Sequence, residues 1–102
     1  MISICIATFR RPQGLSRLLA SLNRLDPQTP AYEVIVVDND RYRSAEHIVR
    51  EFERAGMAVC YGVEPVQNIS RARNKSVSMA RGAIVAFIDD DEEADSLWLA
   101  EL

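Results

Sequence analysis

The sequence predicts an α/β domain: a mostly parallel, open sheet with helices on its flanks. Three observations point there. Short apolar runs rich in β-branched residues alternate with segments whose apolar residues recur at helical spacing. The loops between them are brief, which implies right-handed βαβ crossovers and hence parallel strands. The strand-like runs also end in polar clusters, as the carboxyl edge of such a sheet does where it binds ligands.

Each element has its own signature. Ile2–Ala7 reads as the first strand. Arg11-Pro12 then opens a helix, because proline is tolerated in a first turn, and Leu15, Leu18, Leu19 and Leu22 form its apolar stripe. Asp26-Pro27-Gln28-Thr29-Pro30 ends that helix in a loop. Tyr32–Val37 is the second strand. Ala45, Ile48, Val49 and Phe52 mark a second helix, with Ser44 as its cap and Gly56 just past its end. Met57–Val63 is a third strand. Ile69, Ala72, Ser76, Val77 and Ala80 define a third helix that stops at Gly82. Ala83–Ile88 has no alternation and reads as a fourth strand buried on both faces. Asp95-Ser96-Leu97-Trp98-Leu99 begins another helix.

Composition narrows the class. At 102 residues the chain is one domain or less, and 48% hydrophobic with 26% charged residues is ordinary for a globular protein. A net charge of -3 argues against nucleic acid, which calls for a basic face. Of the 12 Lys and Arg residues only Lys75 is lysine, and arginine suits forked hydrogen bonds to phosphate. Cys5 and Cys60 lie in strand-like runs and read as buried thiols of a reducing compartment. No run approaches the ~20 apolar residues that span a bilayer. The N-terminal run is too short for a signal peptide, so a soluble, cytoplasmic setting is expected.

The chemistry gathers at the strand ends. Thr8-Phe9-Arg10 offers a hydroxyl, an aromatic face and a cation, although Thr8 is equally a strand-end turn residue and a phenylalanine is more often core than a stacking platform. Asp38-Asn39-Asp40 offers carboxylates beside an amide, and is equally a good turn sequence. Asp89-Asp90-Asp91-Glu92-Glu93 follows the fourth strand. Asp89 and Asp91 form a D-x-D pair suited to a hard divalent cation. A solvated acidic loop is the competing reading, with Glu92 and Glu93 opening the next helix. Arg71-Ala72-Arg73-Asn74-Lys75 places cations at a helix start, against the macrodipole, which an anionic ligand would offset; a solvated polar face is the equal alternative. G-x-G-x-x-G, G-x-x-x-x-G-K-[ST] and G-x-S-x-G are all missing, which argues against dinucleotide, P-loop and hydrolase readings.

The order A-T-F-R-R-P at 7–12, V-I-V-V-D-N-D at 34–40, N-I-S-R-A-R-N-K-S at 68–76 with A-R-G at 80–82, and A-I-V-A-F-I-D-D-D-E at 83–92 resembles the N-terminal half of family 2 glycosyltransferases. These have the GT-A fold of nucleotide-diphospho-sugar transferases. The resemblance implies that Ala7, Thr8 and Phe9 meet the nucleotide base. It implies that Asp38 or Asn39 recognises that base, commonly uracil. Asn68, Arg73 and Asn74 match a region that closes over the nucleotide, with Ser70 and Ser76 standing where glycines are usual. Asp89 and Asp90 belong to the donor site, Asp89 near the ribose, while Asp91 and Asp89 hold Mn2+ or Mg2+. Trp98 and Leu99 match the apolar segment beyond the D-x-D.

Such enzymes transfer a sugar from a nucleotide-diphosphate sugar to an acceptor hydroxyl on a saccharide or lipid-linked carrier, usually with inversion, as in polysaccharide biosynthesis. The catalytic base comes from the C-terminal half of the domain. The chain therefore reads as a truncated GT-A domain: residues 1–102 form the donor-binding half, the acceptor half and the base lie beyond Leu102, and no transfer by this piece alone is expected. A longer protein would be cytoplasmic and peripheral to the inner face of the membrane. A half-domain leaves apolar surface uncovered, which predicts self-association. The alternatives are a nucleotidyltransferase-like enzyme, for which Arg10–Gly14 is a poor basic loop, and a non-catalytic nucleotide-binding or receiver-type domain.

Overall fold

The computed structural model describes residues 1–99. Seven elements alternate: β1 (Ile2–Thr8), α1 (Pro12–Leu22), β2 (Tyr32–Asp38), α2 (Glu46–Arg54), β3 (Val59–Val63), α3 (Ile69–Met79) and β4 (Ile84–Phe87). The strands form one sheet in the order β3-β2-β1-β4, every pair parallel. The chain steps outward from β1 to β3, then returns to place β4 on the other side of β1. The order thus reverses between β1 and β4, and such a switch point opens a crevice at the carboxyl ends of the strands.

The two faces of the sheet are covered unequally. Leu15, Leu18, Leu19 and Leu22 of α1 are fully buried against Ile4, Ile6, Val34 and Val36, with Val49 of α2 beside them. Each such side chain is worth about 1.5–3 kcal/mol of burial. The opposite face is thinner: α3 covers Cys5, Ile35 and Val37 with little more than Ala72.

That thinness corrects three expectations. In α3 the buried residues are Ala72 and Ser76, whereas Ile69 is 52% and Val77 46% exposed. β4 is not buried on both faces: it is the edge strand, and Ile84 and Phe87 are each about half exposed. A continuous apolar run cannot distinguish a central strand from an edge that nothing yet covers. Gly82 does not cap α3, which ends at Met79 with an extended Ala80. It is needed for close approach, since a Cβ there would lie 2.6 Å from the Met1 carbonyl. Gly56, with φ +103°, does follow α2 as expected.

Two further helix expectations change. Ser44 does not cap α2; the residue before the helix is Ala45, and no side chain caps it in the usual way. The carboxylate that reaches this end is that of Asp38, whose Oδ2 accepts the Ala45 N–H at 2.9 Å. Residues 92–95 have no regular structure and 96–99 form a turn, so neither Glu92 nor Glu93 starts a helix. Asp95 instead closes this turn by accepting the Leu97 N–H. The remainder of that expected helix lies outside the described residues.

A buried polar clasp ties the far edge of the sheet together. Glu33, 3% exposed, accepts hydrogen bonds from the Ser3 hydroxyl (2.7 Å), the Arg81 N–H (2.7 Å) and the Arg81 guanidinium (3.2 Å). Ser3 Oγ in turn accepts from Gly82 N–H at 2.8 Å. Burial pushes the Glu33 carboxyl upward, but these donors outweigh it and hold it below its ordinary value. The clasp sets where β4 begins beside β1.

Candidate functional site

The crevice between β1 and β4 is closed by a side-chain bridge. Thr8, at the last position of β1 and almost fully buried, donates its hydroxyl to Asp90 Oδ2 at 2.8 Å. Arg11 Nε stands 3.6 Å from the other Asp90 oxygen. Gly14 lets α1 press against the same loop, since a Cβ there would lie 2.6 Å from the Asp90 carbonyl oxygen. Asp90 is thereby anchored to β1 and α1. Its neighbours turn outward: Asp89 and Asp91 are exposed.

Asp89, Asp91 and Glu92 each offer a carboxylate oxygen, and these lie within 4.8 Å of one another. Three oxygen donors at that separation fit a hard divalent cation. Glu92 joins the group because its Oε1 accepts the Asp89 N–H at 3.1 Å, which folds it back over the loop. The D-x-D pattern alone gave no reason to include it. Arg73, on α3, reaches Asp89 at 3.4 Å.

Phe9 stands between two open pockets. One, of about 270 Å³, is lined by Ala7, Thr8, Phe9, Arg11, Asn39, Ile69 and Asp90. The other, of about 330 Å³, shares Phe9 and Asn39 with it and is lined also by Arg10, Asp40, Arg41, Tyr42 and Gln67. Arg10 adopts φ +53°, an uncommon backbone conformation for a non-glycine residue. Its guanidinium lies 4.9 Å from the Phe9 ring centroid. The Tyr42 N–H, with Arg10 adding its charge, holds the Asp40 carboxyl below the usual range.

The β2 end is built differently. Asp38 is fully buried and accepts from Asp40 N–H (3.1 Å), Ala45 N–H (2.9 Å) and Tyr61 Oη (2.7 Å). Burial and that bond to the carboxylate push the Tyr61 hydroxyl pKa well up. Asn39, 5% exposed, donates Nδ2 to the carbonyls of Glu64 (2.9 Å) and Val66 (2.7 Å) and accepts the Asn68 N–H on Oδ1 (2.9 Å). Asn68 caps α3 by accepting the Arg71 N–H at 3.0 Å. The cations at the start of α3 are offset within the chain: Arg71 faces Glu64 at 3.7 Å and Arg73 faces Asp89.

Of the residues singled out in the sequence, Ala7, Thr8, Phe9, Asn39 and Asp90 line one pocket, with Asp89, Asp91 and Arg73 at the neighbouring acidic loop. Asn68 is joined to them through Asn39, and Asn74 is exposed on α3. Asp38 lies beneath the surface. Sequence reasoning gave Arg11 and Gly14 only a helix start and a poor basic loop, and it passed over Tyr61. The tight carboxyl-edge approach of a glycine in the first turn of α1 could have pointed to Gly14. Nothing in the local pattern marks Tyr61.

A sequence profile described as Glycosyl transferase family 2 matches residues 3–102. The succinoglycan biosynthesis protein ExoM of Rhizobium meliloti is 37% identical over 103 residues, an alignment that takes in 99% of this chain and 33% of that protein. The crystal structure of S. aureus TarS 1-349 in complex with UDP-GlcNAc superposes with a TM-score of 0.85 at 24% identity, covering 98% of this chain and 29% of that one. The mannosyltransferase PcManGT of Pyrobaculum calidifontis, in complex with GDP-Man and Mn2+, gives 0.83 at 20% identity, covering 94% and 29%. This chain spans about a third of the length of such relatives. The parallel four-stranded sheet with flanking helices is that of GT-A glycosyltransferases.

Proposed function

We propose a donor-binding role from one premise: the chain belongs to glycosyl transferase family 2. In a longer protein it binds a nucleotide-diphosphate sugar, a UDP-sugar, for inverting transfer to an acceptor hydroxyl on a saccharide or lipid-linked carrier. The observation that carries this reading is the Thr8–Asp90 bridge across the switch point, which sets three convergent carboxylates beside the pocket under Phe9. The named ligands of the TarS and PcManGT structures support the donor class.

The roles follow from chemistry. Phe9 offers a ring face to a base, and the β1 tip a backbone edge at Ala7 and Thr8. Asn39 lines the base end of the site, and Asp38 supports that end from beneath. Asp89 and Asp90 stand at the ribose end, and Asn68 and Arg73 border the phosphates. Asp91 and Asp89, with Glu92, hold Mn2+ or Mg2+. When bound, that cation offsets the charge that grows on the departing diphosphate. Arg73 and Arg11 add fixed positive charge near the same oxygens. No catalytic base is assigned within this chain; the base and the acceptor pocket are assigned to the rest of the longer protein.

The setting is cytoplasmic, at the inner face of a membrane. No helix among the described residues is long and apolar enough to cross one. The half-exposed Ile84 and Phe87 on the β4 edge favour self-association of this piece, and a monodisperse monomer by light scattering would count against that. Calorimetric titration with UDP, with and without Mn2+, tests the donor reading. Metal-dependent binding that is lost in Asp91→Ala supports it. No binding of any nucleoside diphosphate at millimolar concentration overturns it.

A further inference from the structure

We propose that Asn39 is a positioning residue whose side-chain amide clamps the 64–68 loop and thereby sets where α3 begins. The loop between β3 and α3 has few hydrogen bonds of its own. Its first residue, Glu64, donates its N–H to the Asp38 carbonyl at 2.9 Å, and Glu64 Oε2 receives the Val66 N–H at 3.1 Å. Arg71 faces Glu64 at 3.7 Å, and the remaining fixed points come from one side chain. Asn39 Nδ2 donates to the Glu64 and Val66 carbonyls, and Asn39 Oδ1 accepts from Asn68.

These partners dictate the amide's orientation. The opposite flip would put an oxygen against two carbonyl oxygens and an NH2 against an N–H. Both Nδ2 protons are therefore committed to the loop, and the amide's remaining capacity is the second lone pair of Oδ1. The order imposed on the loop passes onward. Asn68, held by Asn39, caps α3. Ala72 N–H then makes the first turn by donating to the Asn68 carbonyl at 3.0 Å. Arg73, the next residue, reaches Asp89. An amide at the β2 tip thus aligns a guanidinium at the acidic loop, and its effect should extend to a diphosphate that carries no base.

Amide exchange in Asn39→Ala tests the clamp without any ligand. Loss of three hydrogen bonds should speed exchange at Asn68 and Ala72 by about tenfold or more, while Ile4 and Ile6 in β1 keep wild-type rates. Unchanged exchange at Asn68 and Ala72 overturns the clamp. If the variant does not fold, the wild-type chain decides. Its Asn39 side-chain protons should exchange slowly, and exchange as fast as an exposed amide overturns the proposal.

The positioning role rests on the donor reading above and is tested with UDP, CDP and inorganic pyrophosphate, each with Mn2+. Asn39→Ala should weaken binding of all three, pyrophosphate included. Weaker UDP binding with pyrophosphate binding intact makes Asn39 a base contact alone and overturns the proposal. If the wild-type chain binds none of the three, the donor reading fails, while the exchange measurement still decides the clamp.

Discussion

The tips of β2 and β4 lie on one edge of one sheet and carry similar residues, yet their side chains are used in opposite ways. At the β2 tip Asp38, Asn39 and Asp40 are 0%, 5% and 3% exposed, and each is hydrogen-bonded within the chain. At the β4 tip Asp89 and Asp91 are exposed, and they share a loop with Glu92 whose oxygens converge. Asp90, between them, is tied to β1 and α1. A buried carboxylate is tolerable when donors surround it, and it then organises structure. Clustered exposed carboxylates repel one another and gain from a cation. The same residue type is scaffold at one tip and the proposed metal ligand at the other.

The largest test of this contrast is Asp38→Ala. It strands Asp40 N–H, Ala45 N–H and the Tyr61 hydroxyl in a buried site. A loss of roughly 3 kcal/mol or more is expected in urea denaturation. A loss under about 1 kcal/mol would mean that water replaces the carboxylate and that the β2 tip is not scaffold.

Gly14→Ala comes next. The new methyl meets the Asp90 carbonyl at 2.6 Å, so either α1 or the acidic loop must shift. The expected cost is about 1–3 kcal/mol, with weaker Mn2+ affinity because the loop moves. Unaltered stability and Mn2+ affinity would show that the loop is not braced by α1.

The Glu33 clasp yields a smaller, pH-dependent effect. Its carboxyl titrates below the ordinary value of 4.5 in the folded chain. The stability it lends is complete above that value and is lost as pH falls through the lower folded value. Glu33→Gln should flatten the stability profile in that acidic range, as read by thermal melts between pH 3 and 6, a window of about that width by linkage. A profile identical to wild type would remove Glu33 as the cause.

Asp91→Ala should have the smallest effect on stability, within about 0.5 kcal/mol, because the side chain is exposed. The variant should nonetheless lose metal-dependent UDP binding, as measured by calorimetry. Set against Asp38→Ala, this pair separates scaffold from ligand. A large stability loss in Asp91→Ala would erase the distinction.

Much of this was legible before any coordinates. The period of Leu15, Leu18, Leu19 and Leu22 is enough to place α1, since a leucine stripe at 3.6 spacing has one way to be buried. Gly56 was legible because a helix end in the left-handed region favours glycine. Thr8, Phe9, Asp89 and Asp91 were legible as strand-end residues once the alternation implied a parallel sheet. Tyr61, Arg11 and Gly14 were not. Their partners Asp38 and Asp90 are 23 to 79 positions away, and no local pattern encodes a contact across a sheet.

The sequence by itself determined the alternation, the parallel sheet and the presence of three polar strand tips, because those follow from side-chain period and short loops. Only the tertiary structure decided which tip is scaffold. That depends on whether distant donors converge on a carboxylate, as Ala45 and Tyr61 do on Asp38, or leave it to solvent, as at Asp91. It also decided that β4 is an uncovered edge, because burial depends on the neighbours a strand has and not on its own composition.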